Sequence, residues 1–393
     1  MIKIQKIKEE TQMNFKLTEK QLEVQKTVRE FIKREVEPTV MEREASGRFD
    51  ETYKILMKLG KMGLFGLPFP KEIGGLGGDN ISYVLAGIEL NKVDASIGIA
   101  YAVTVSIGSW AIHHFGNEMQ REKFFRPMAE GKKLGAFALT EPNAGSDSAA
   151  CETTAEKKGD TYVLNGRKIF CTNAGFADNY IVIAMTDKSK GVKGLSAFIV
   201  EKDTPGFTFG KTEDKMGIRA SIQRELIFEN CVIPAENLLG EEGIGFKIAM
   251  MALDGGRIGI AAQGVGIAEG AYEYARDYLK QREQFGKPLI KQQYLRFKLA
   301  EMYTDIQKAK LLVLQAASDK DNGDPYSLSA AMAKMTATDT AMNVATQAVQ
   351  MLGGHGFLKD HPVERYMRDA KITQIYEGTN EIQRMVISNN ILK

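Results

Sequence analysis

The chain has 393 residues, of which 44% are hydrophobic and 26% are charged, and its formal net charge is +2. This composition is that of a folded globular protein with two or three domains, and it excludes a disordered chain. The small net charge gives no reason to expect nucleic acid or a membrane surface as a partner, and no uninterrupted apolar run reaches the ~18 residues of a membrane span.

Cysteine and histidine are scarce. The three cysteines, Cys151, Cys171 and Cys231, lie far apart and lack the spacing of metal ligands. This favours buried thiols in a reducing compartment, which we take to be the cytoplasm. Four histidines leave few candidates for a metal cluster or for a hydrolase triad. We therefore expect no metal site.

The first part of the chain is predicted to be helical. Residues 1–13 mix lysine with glutamate and lack the apolar core of a secretory signal, so we expect a flexible tail there. A helical domain is expected over residues 14–130, and its first helix begins at a capping-box pattern of Thr18 and Gln21. A glycine-rich loop at 70–79 separates the early helices from two later ones.

Residues 131–243 carry the short apolar segments of a β domain. Asn165-Gly166 predicts a hairpin with a type I′ turn, because both residues tolerate positive φ. The even spacing of the strands without helices predicts a small antiparallel barrel or sandwich. Further strands are expected at 180–185, 195–200, 207–209 and 225–228.

Residues 244–393 return to a helical pattern. One long helix should run toward Leu279, a second should follow Pro288, and a third should have Pro325 as its first residue and end at Gly353-Gly354. Long helices of this kind form a bundle. The predicted fold is thus mainly α with a β domain: a helical domain, an antiparallel β-barrel and a C-terminal four-helix bundle.

The segment from Ile375 to Gln383 carries the strongest candidate for chemistry, which is Glu377. Residues 371–376 have a short, extended pattern, and Gly378 interrupts it. Thr379 can then cap a helix with Glu381 in its first turn. Glu377 would lie on a loop held by two regular elements, a usual place for a catalytic carboxylate, although a solvated loop glutamate is the alternative.

A second candidate is the turn within residues 137–147, Phe-Ala-Leu-Thr-Glu-Pro-Asn-Ala-Gly-Ser-Asp. Successive backbone N–H groups of such a turn suit a pyrophosphate or a polar ring edge, with hydroxyls at Thr140 and Ser146.

These segments resemble the acyl-CoA dehydrogenase family. The run from Tyr376 to Ile382 is similar to the family's C-terminal signature, and residues 137–147 are nearly identical to its flavin motif. Matching segments follow in the family's order from about Pro70 onward. The resemblance implies the helical, barrel and bundle domains, FAD as the cofactor and a homotetramer built as a dimer of dimers.

The resemblance also assigns cofactor contacts. Phe170 stands where the family usually has tryptophan packed on the flavin, and a core aromatic in a strand is its alternative interpretation. The segment from Gln350 would reach the flavin nucleotide of a neighbouring subunit. The implied FAD contacts are Phe137, Leu139, Thr140, Gly145, Ser146, Phe170, Thr172, Arg282, Gln284, Phe285, Gln293, Gln350, Leu352, Gly353, Gly354, Thr379 and Glu381.

The implied acyl-CoA contacts are Ser146, Asp254, Arg257 and Gly378. Asp254 and Arg257 share a helix face, so a surface ion pair is the alternative. In isovaleryl-type and long-chain members the base immediately precedes this arginine. Here that position is Gly256, which leaves Glu377 as the base.

The implied reaction is α,β-dehydrogenation of a short-chain acyl-CoA, such as butyryl-CoA, to the trans-2-enoyl-CoA in fatty acid β-oxidation. Glu377 would remove the α-proton, the hydride would go to flavin N5, and electron-transfer flavoprotein would accept the electrons. Branched or alicyclic acyl-CoA and an acyl-CoA oxidase remain alternatives. Glutaryl-CoA is disfavoured because Gly98 stands where that group has arginine. A non-catalytic assembly protein on the same fold is an alternative of another class.

Overall fold

The structure is a computed structural model that describes residues 16–393, so the tail expected at residues 1–13 lies outside the described range. Its N-terminal part is helical. Thr18 and Gln21 form the expected capping box, each side chain accepting a hydrogen bond from the other's backbone N–H. The helices here are α1 (Glu19–Glu35), α2 (Val40–Ser46), α3 (Asp50–Lys61), α4 (Asn80–Val93), α5 (Ala95–Ala102), α6 (Trp110–Phe115), α7 (Glu118–Gln120) and α8 (Arg126–Ala129).

A π-helix at Val103–Ser109 joins α5 to α6, so that Ala95–Phe115 forms one continuous helix. By length and composition this continuous helix could span a membrane, although polar residues such as Ser96 and Thr104 interrupt its apolar sequence. Its apolar window is entirely buried inside the protein, as in the core helix of a soluble protein. Stretches of π-helix are often found next to functional sites.

The strands of the middle part are β1 (Gly135–Ala138), β2 (Thr154–Lys158), β3 (Thr161–Thr172), β4 (Asn179–Met185), β5 (Leu195–Glu201), β6 (Phe207–Thr212), β7 (Gln223–Pro234) and β8 (Leu238–Leu239). They form a single eight-stranded sheet with the order β6-β7-β3-β2-β4-β5-β8, and β1 pairs with β4. The predicted barrel is not closed, because among the described residues the end strands β6 and β8 do not pair. The sheet is also not purely antiparallel, since β1 runs parallel to β4.

The predicted Asn-Gly hairpin is also wrong, because β3 runs straight through Asn165 and Gly166. The pair forms an irregularity in the register with β7 instead of a turn. Asn165 accepts a hydrogen bond from the backbone N–H of Asn230 (2.7 Å), and a side chain at Gly166 would collide with Thr153. Long-range pairing with β7 therefore overrides the local turn preference, and the chain reverses between β2 and β3 at Gly159.

The C-terminal part is a helical bundle, as predicted. Its helices are α9 (Gly245–Gln281), α10 (Gln293–Asp321), α11 (Ser327–Leu352), α12 (Val363–Thr373) and α13 (Asn380–Ile391). A small hairpin of β9 (Glu283–Gln284) and β10 (Lys287–Pro288) links α9 to α10. Pro325 precedes α11 by two residues and is not its first residue, because the helix starts at Ser327 after Tyr326.

The extended segment predicted at residues 371–376 is wrong as well. Helix α12 continues through it to Thr373, and the backbone N–H of Tyr376 still bonds to Ile372 O (3.1 Å). Ile372 and Tyr376 are four residues apart, so their apolar side chains follow a helical spacing and not the alternation of a strand.

Polar contacts connect the three parts of the chain. Arg368 on α12 pairs with Glu44 of α2 (2.7 Å). In the middle part, the backbone N–H of Ile218 donates to Asp369 and the backbone N–H of Arg219 donates to Glu44 (3.2 Å). These contacts hold the middle part against both helical parts, which positions the residues discussed next.

A buried ion pair stabilises the N-terminal part. Arg43 on α2 pairs with Asp94 at the start of α5, and both side chains are almost fully buried (2% and 3% exposed).

Candidate active site

The side chain of Glu377 is the most unusual polar group in the described part of the chain. Both of its carboxylate oxygens are buried, and neither has a hydrogen-bond partner within residues 16–393. Buried polar groups are nearly always hydrogen-bonded, so an exception needs an explanation. A solvated loop glutamate, the alternative considered from the sequence, is excluded by this burial.

The loop that holds Glu377 is rigid in its construction. Glu377 has φ of 52° and Gly378 has φ of 88°. A positive φ strains the backbone of a glutamate, whereas a glycine adopts it readily. Thr379 caps α13 by accepting a hydrogen bond from Ile382 N (3.3 Å), as predicted. Gln383 donates to the carbonyl oxygen of Gly378 (2.7 Å) from the first turn of α13. Strained backbone held in this way is found at functional sites.

A buried lysine completes the support of this loop. Lys334 on α11 donates to Gly378 O (2.8 Å) and to Asn380 Oδ1 (2.9 Å). Burial lowers the pKa of Lys334 to about 7, while the charge of Glu377 acts in the opposite direction. Lys334 was not among the residues predicted from the sequence. The available signal was that Lys334 is the one charged residue in the alanine-rich and methionine-rich run from Ser329 to Thr338.

Burial raises the pKa of Glu377 to about 7. Desolvation is the largest cause, because it disfavours the charged carboxylate. The positive charges of Lys334 and Arg257 oppose the shift. A carboxylate whose pKa lies close to neutrality is matched to general base catalysis at physiological pH.

Helix α9 forms the wall opposite Glu377. A β-carbon built on Gly256 would lie 2.1 Å from Glu377 Oε2 and 3.0 Å from Ile107 Cγ2. The absence of a side chain at Gly256 thus provides the space for the Glu377 carboxylate, and the π-helix closes the site from the other side.

Asp254 and Arg257, which are predicted acyl-CoA contacts, form an ion pair on the same helix. The alternative of a surface pair is excluded, since the Arg257 side chain is only 6% exposed. Its Nε has no hydrogen-bond partner in the part of the chain that the structure describes. Burial raises the pKa of Asp254, although Arg257 and a hydrogen bond from Ser327 (3.1 Å) oppose the shift. The Arg257 guanidinium thus has an unused donor, and the nearby Glu377 carboxylate has unused acceptors. Buried polar groups that lack partners indicate a site for a polar ligand.

The predicted flavin contacts on the sheet lie on the other side of the π-helix. Ile107 faces Gly256 and the Glu377 carboxylate. The next residue, Gly108, packs against the start of β1, where a β-carbon built on Gly108 would lie 3.4 Å from Gly135 Cα. Strand β1 carries Phe137, and residues 139–140 follow directly with Leu139 and Thr140. The π-helix therefore lies between the Glu377 loop and the segment of β1 that carries the predicted flavin contacts, and it contacts both.

The aromatic ring predicted to stack on the flavin is available for stacking. Phe170 has φ of 58° at a register irregularity of β3 and is 63% exposed, so the alternative of a core aromatic is excluded. Thr172 is half-buried, and its hydroxyl accepts a hydrogen bond from Gln223 (3.1 Å). Gly145 and Ser146 are exposed on the turn that precedes β2. An exposed aromatic face beside hydroxyl groups and an open turn fits a planar, polar ring system.

The remaining predicted cofactor contacts lie at the far end of α9. Tyr278, near that end, is hydrogen-bonded to His355, which joins the end of α9 to the segment after α11. The exposed members of this group are Arg282, Gln284, Phe285, Gln293, Gln350, Gly353 and Gly354, whereas the Leu352 side chain is buried. The 25 residues from Arg257 to Arg282 correspond to about 37 Å at 1.5 Å per helical residue. This group is therefore not brought to the Glu377 site of the same chain. Thr379 and the exposed Glu381, at the start of α13, lie next to Glu377 instead.

Known proteins are similar to this chain over nearly its whole length. The short-chain specific acyl-CoA dehydrogenase of Clostridium acetobutylicum is 51% identical over 97% of this chain and 100% of its own. The butyryl-CoA dehydrogenase structure from Megasphaera elsdenii is 54% identical, has a TM-score of 0.95 and covers 97% of this chain and 100% of its own.

Two further structures bear on partners and cofactor. A chain in the structure of the electron transferring flavoprotein of Acidaminococcus fermentans is 55% identical with a TM-score of 0.96, covering 97% of this chain and 100% of that chain. The acyl-CoA dehydrogenase from Bacillus anthracis, solved as a complex with FAD, is 35% identical with a TM-score of 0.90, covering 96% of this chain and 67% of that chain.

Family models of three consecutive domains match the chain in order. The acyl-CoA dehydrogenase N-terminal domain matches residues 18–132, the middle domain matches residues 136–231, and the C-terminal domain matches residues 243–392. The order of helices, sheet and bundle in the structure agrees with this arrangement. The chain belongs to the acyl-CoA dehydrogenase family.

Proposed function

We propose that this protein is an FAD-dependent dehydrogenase of short-chain acyl-CoA thioesters, in which Glu377 removes the proton α to the thioester. The observation that carries the proposal is the buried and unpartnered carboxylate of Glu377. The preference for a short acyl chain is supported by the similarity to the enzymes of C. acetobutylicum and M. elsdenii, which are named for short-chain and butyryl substrates.

Glu377 is suited to this proton transfer by its environment. The α-carbon of a thioester is a far weaker acid than a free glutamic acid, so the base must be strengthened. Each unit by which the pKa of Glu377 rises reduces the difference in acidity between the two groups by about 1.4 kcal/mol. Arg257 and Lys334 oppose the rise, and so retain a useful fraction of carboxylate at neutral pH. The Glu377 loop and α9 keep water away from the base while the thioester is bound.

The residues of the chain fit FAD in two separated groups. Phe170, Thr172 and Thr140 would contact the ring system, and the turn from Gly145 to Ser146 would meet the phosphates and the CoA arm. Bound FAD supplies the hydride acceptor for the substrate β-carbon. Asp254 and Arg257 would contact the pantetheine and CoA part of the substrate, and the backbone at Gly378 would contact the substrate beside Glu377.

The second group of cofactor contacts supports an oligomer. Arg282, Gln284, Phe285 and Gln293 are exposed at a distance of about 37 Å along α9 from the Glu377 region. We place them, together with the segment 350–354, on the cofactor of a neighbouring subunit. Exposed apolar rings such as those of Phe285 (92%) and Phe357 (86%) are typical of a surface that is covered in an assembly. The proposed assembly is a homotetramer built as a dimer of dimers.

The proposed electron acceptor is an electron-transfer flavoprotein, in line with the similarity to a chain in the A. fermentans structure. We place the protein in the cytoplasm, where its three buried, free cysteines stay reduced. The proposed domains are residues 14–130, 131–243 and 244–393.

The test is spectroscopic. The purified protein should show oxidised flavin absorbance, and butyryl-CoA should bleach it faster than longer members of a C4 to C16 acyl-CoA series. Glu377→Gln should keep the flavin and bind acyl-CoA, but lose turnover by several orders of magnitude. Near-normal turnover of that variant would place the base elsewhere. Rapid peroxide formation in air would indicate an oxidase, and absence of bleaching by every acyl-CoA would indicate a non-catalytic protein.

A further inference from the structure

The burial of Glu377 creates a second requirement, which concerns the proton after it has been abstracted. This inference rests on the proposed function. Both carboxylate oxygens are sealed from solvent, and a bound thioester would close the remaining side. The proton must nevertheless leave Glu377 before the next turnover. A set of polar groups that leads away from the carboxylate is therefore required.

Tyr83 on α4 is the first such group. Its side chain is buried (4% exposed), and its hydroxyl has no hydrogen-bond partner among the described residues. A β-carbon on Gly259 would lie 2.6 Å from the Tyr83 hydroxyl, as one on Gly256 would lie 2.1 Å from Glu377 Oε2. Positions three apart on a helix are about 5–6 Å apart at their β-carbons. The two oxygens thus lie along one face of α9. Burial raises the pKa of Tyr83 and the charge of Glu377 adds to the shift, so the two groups are near each other.

A cavity of about 120 Å³ is lined by Tyr83, and Glu377 is not among the residues that line it. This volume is large enough for several water molecules, each of which needs about 10–15 Å³. Ser106 lines it beside Tyr83, and its hydroxyl is satisfied by the carbonyl of Ala102 (2.7 Å). Asn80 and Lys320 line the other end, where α4 meets the end of α10. Asp321, next to Lys320, accepts a hydrogen bond from the Asn80 backbone N–H (2.8 Å) and is exposed.

Lys320 is equipped to pass a proton on. Within residues 16–393 its amine makes no hydrogen bond or ion pair, and it lies 5.8 Å from the ring centres of Trp110 and Tyr326. Burial lowers the pKa of Lys320 to about 8, with the charge of Asp321 opposing the shift. An amine with this pKa exchanges protons with water readily near neutral pH. His113 also lines the cavity, and no described residue is a hydrogen-bond partner of its Nδ1.

We propose that the Tyr83 hydroxyl and the cavity that ends at Lys320 form the path by which the proton taken up by Glu377 reaches solvent while the thioester is still bound. The protonated carboxyl donates to a bridging water, which passes a proton to Tyr83 Oη as Tyr83 releases its own proton to the cavity water. Neutral Lys320 accepts that proton and returns it to bulk solvent. Only protons move along this path, and the tyrosine and the lysine end as they began.

The experiment follows the proton with an isotope. Butyryl-CoA carrying two deuterium atoms at C2 is mixed with the flavin-loaded enzyme without oxygen and without an electron acceptor. Mass spectrometry of the recovered butyryl-CoA measures how much deuterium has been replaced by solvent hydrogen. Stopped-flow absorbance measures flavin bleaching in the same samples. Bleaching reports the abstraction step, and replacement reports the exchange of the Glu377 proton with water.

In Tyr83→Phe we expect deuterium replacement to fall by at least about tenfold, while bleaching stays within about twofold of the unmodified enzyme. Lys320→Met, which keeps the volume, should also slow replacement. Tyr101→Phe is the matched control, because Tyr101 is equally buried and packs on Tyr83 with ring centres 5.5 Å apart, but its hydroxyl donates to Leu64 O. Replacement in this control should be unchanged.

Unchanged replacement in Tyr83→Phe would overturn the path. A parallel fall of bleaching and replacement would also overturn it, since that would show a role of Tyr83 in packing the site. Failure of the proposed function is distinguishable from both results. In that case the unmodified enzyme would not bleach with butyryl-CoA, or Glu377→Gln would still bleach and replace deuterium at the normal rate.

Discussion

Glu377 Oε2 and the α-carbon of Gly256 share one packing contact, in which the carboxylate occupies the volume that a side chain at position 256 would need. A β-carbon there would lie 2.1 Å from the oxygen, which is closer than two such atoms approach. The position of the proposed base therefore depends on a residue 121 places earlier in the chain, on helix α9.

Gly256→Ala should displace the Glu377 carboxylate without unfolding the protein. Because a misplacement of about 1 Å can cost about 100-fold in rate, we expect a fall of that order in kcat, with normal flavin content. Gly87→Ala on α4 is the control, since its β-carbon would meet nothing closer than 3.6 Å. Steady-state turnover and thermal melting of both variants measure the difference. Equal activity of the two variants would contradict the proposed position of the base.

The rate of flavin bleaching by butyryl-CoA should rise with pH and reach half of its maximum near pH 7. The reason is that Glu377 acts as a base only when deprotonated, and burial raises its pKa to about 7. Since the folded-state pKa is raised above the ordinary 4.5, the active form is lost as pH falls through 7, well before an exposed glutamate would be protonated. Stopped-flow bleaching between pH 5.5 and 8.5 tests this, and a flat profile would argue against it.

Lys334→Met should move that midpoint upward. Desolvation raises the pKa of Glu377, and the positive charge of Lys334 opposes this rise. Without that charge, the pKa of Glu377 should rise further. The variant also loses two hydrogen bonds to the loop, at Gly378 O and Asn380 Oδ1, and its activity at pH 7 should fall. Lys308→Met on α10, where the lysine pairs with Asp305 at the surface, is the control. A midpoint that is lower than in the unmodified enzyme would contradict the assignment of Lys334.

Two inactive variants should complement each other if the cofactor site is shared between subunits. Glu377→Gln removes the base, and Arg282→Glu should weaken FAD binding at the neighbouring site. If subunits mix at random, about a quarter of the sites in co-expressed protein combine two intact contributions. We therefore expect about a quarter of normal turnover from the mixture and almost none from either variant alone. Absence of any recovery would place Glu377 and Arg282 on the same site of one chain.

The ion pair between Arg43 and Asp94 should contribute strongly to stability. Arg43→Met leaves the Asp94 carboxylate buried without its cation, which costs about 3–5 kcal/mol. Arg48→Met is the control, because Arg48 and Asp50 are 76% and 53% exposed, and its loss should cost less than about 1 kcal/mol. Urea unfolding followed by circular dichroism compares the two variants. Similar midpoints would show that the buried pair is replaceable.

Features that depend on neighbouring residues along the chain were predictable from the sequence alone. The capping box of Thr18 and Gln21 and the cap at Thr379 were both placed correctly, because a cap needs only a side chain and an N–H group within one turn. The three-part order of helices, sheet and bundle also follows from local periodicity. Glu377 could be singled out because Gly378 and Thr379 beside it carry their conformational preferences with them.

Only the tertiary structure decided where strands pair and what each side chain faces. Asn165-Gly166 became part of a long strand because β7 offered hydrogen bonds along its whole length, and residues 371–376 became a helix end and turn. The burial of the Glu377 carboxylate, the lysine at position 334 beneath its loop and the exposure of Phe170 likewise depend on elements far apart in the chain. Desolvation and long-range pairing act through space, so local sequence indicated which residue could be the base, whereas packing set its pKa.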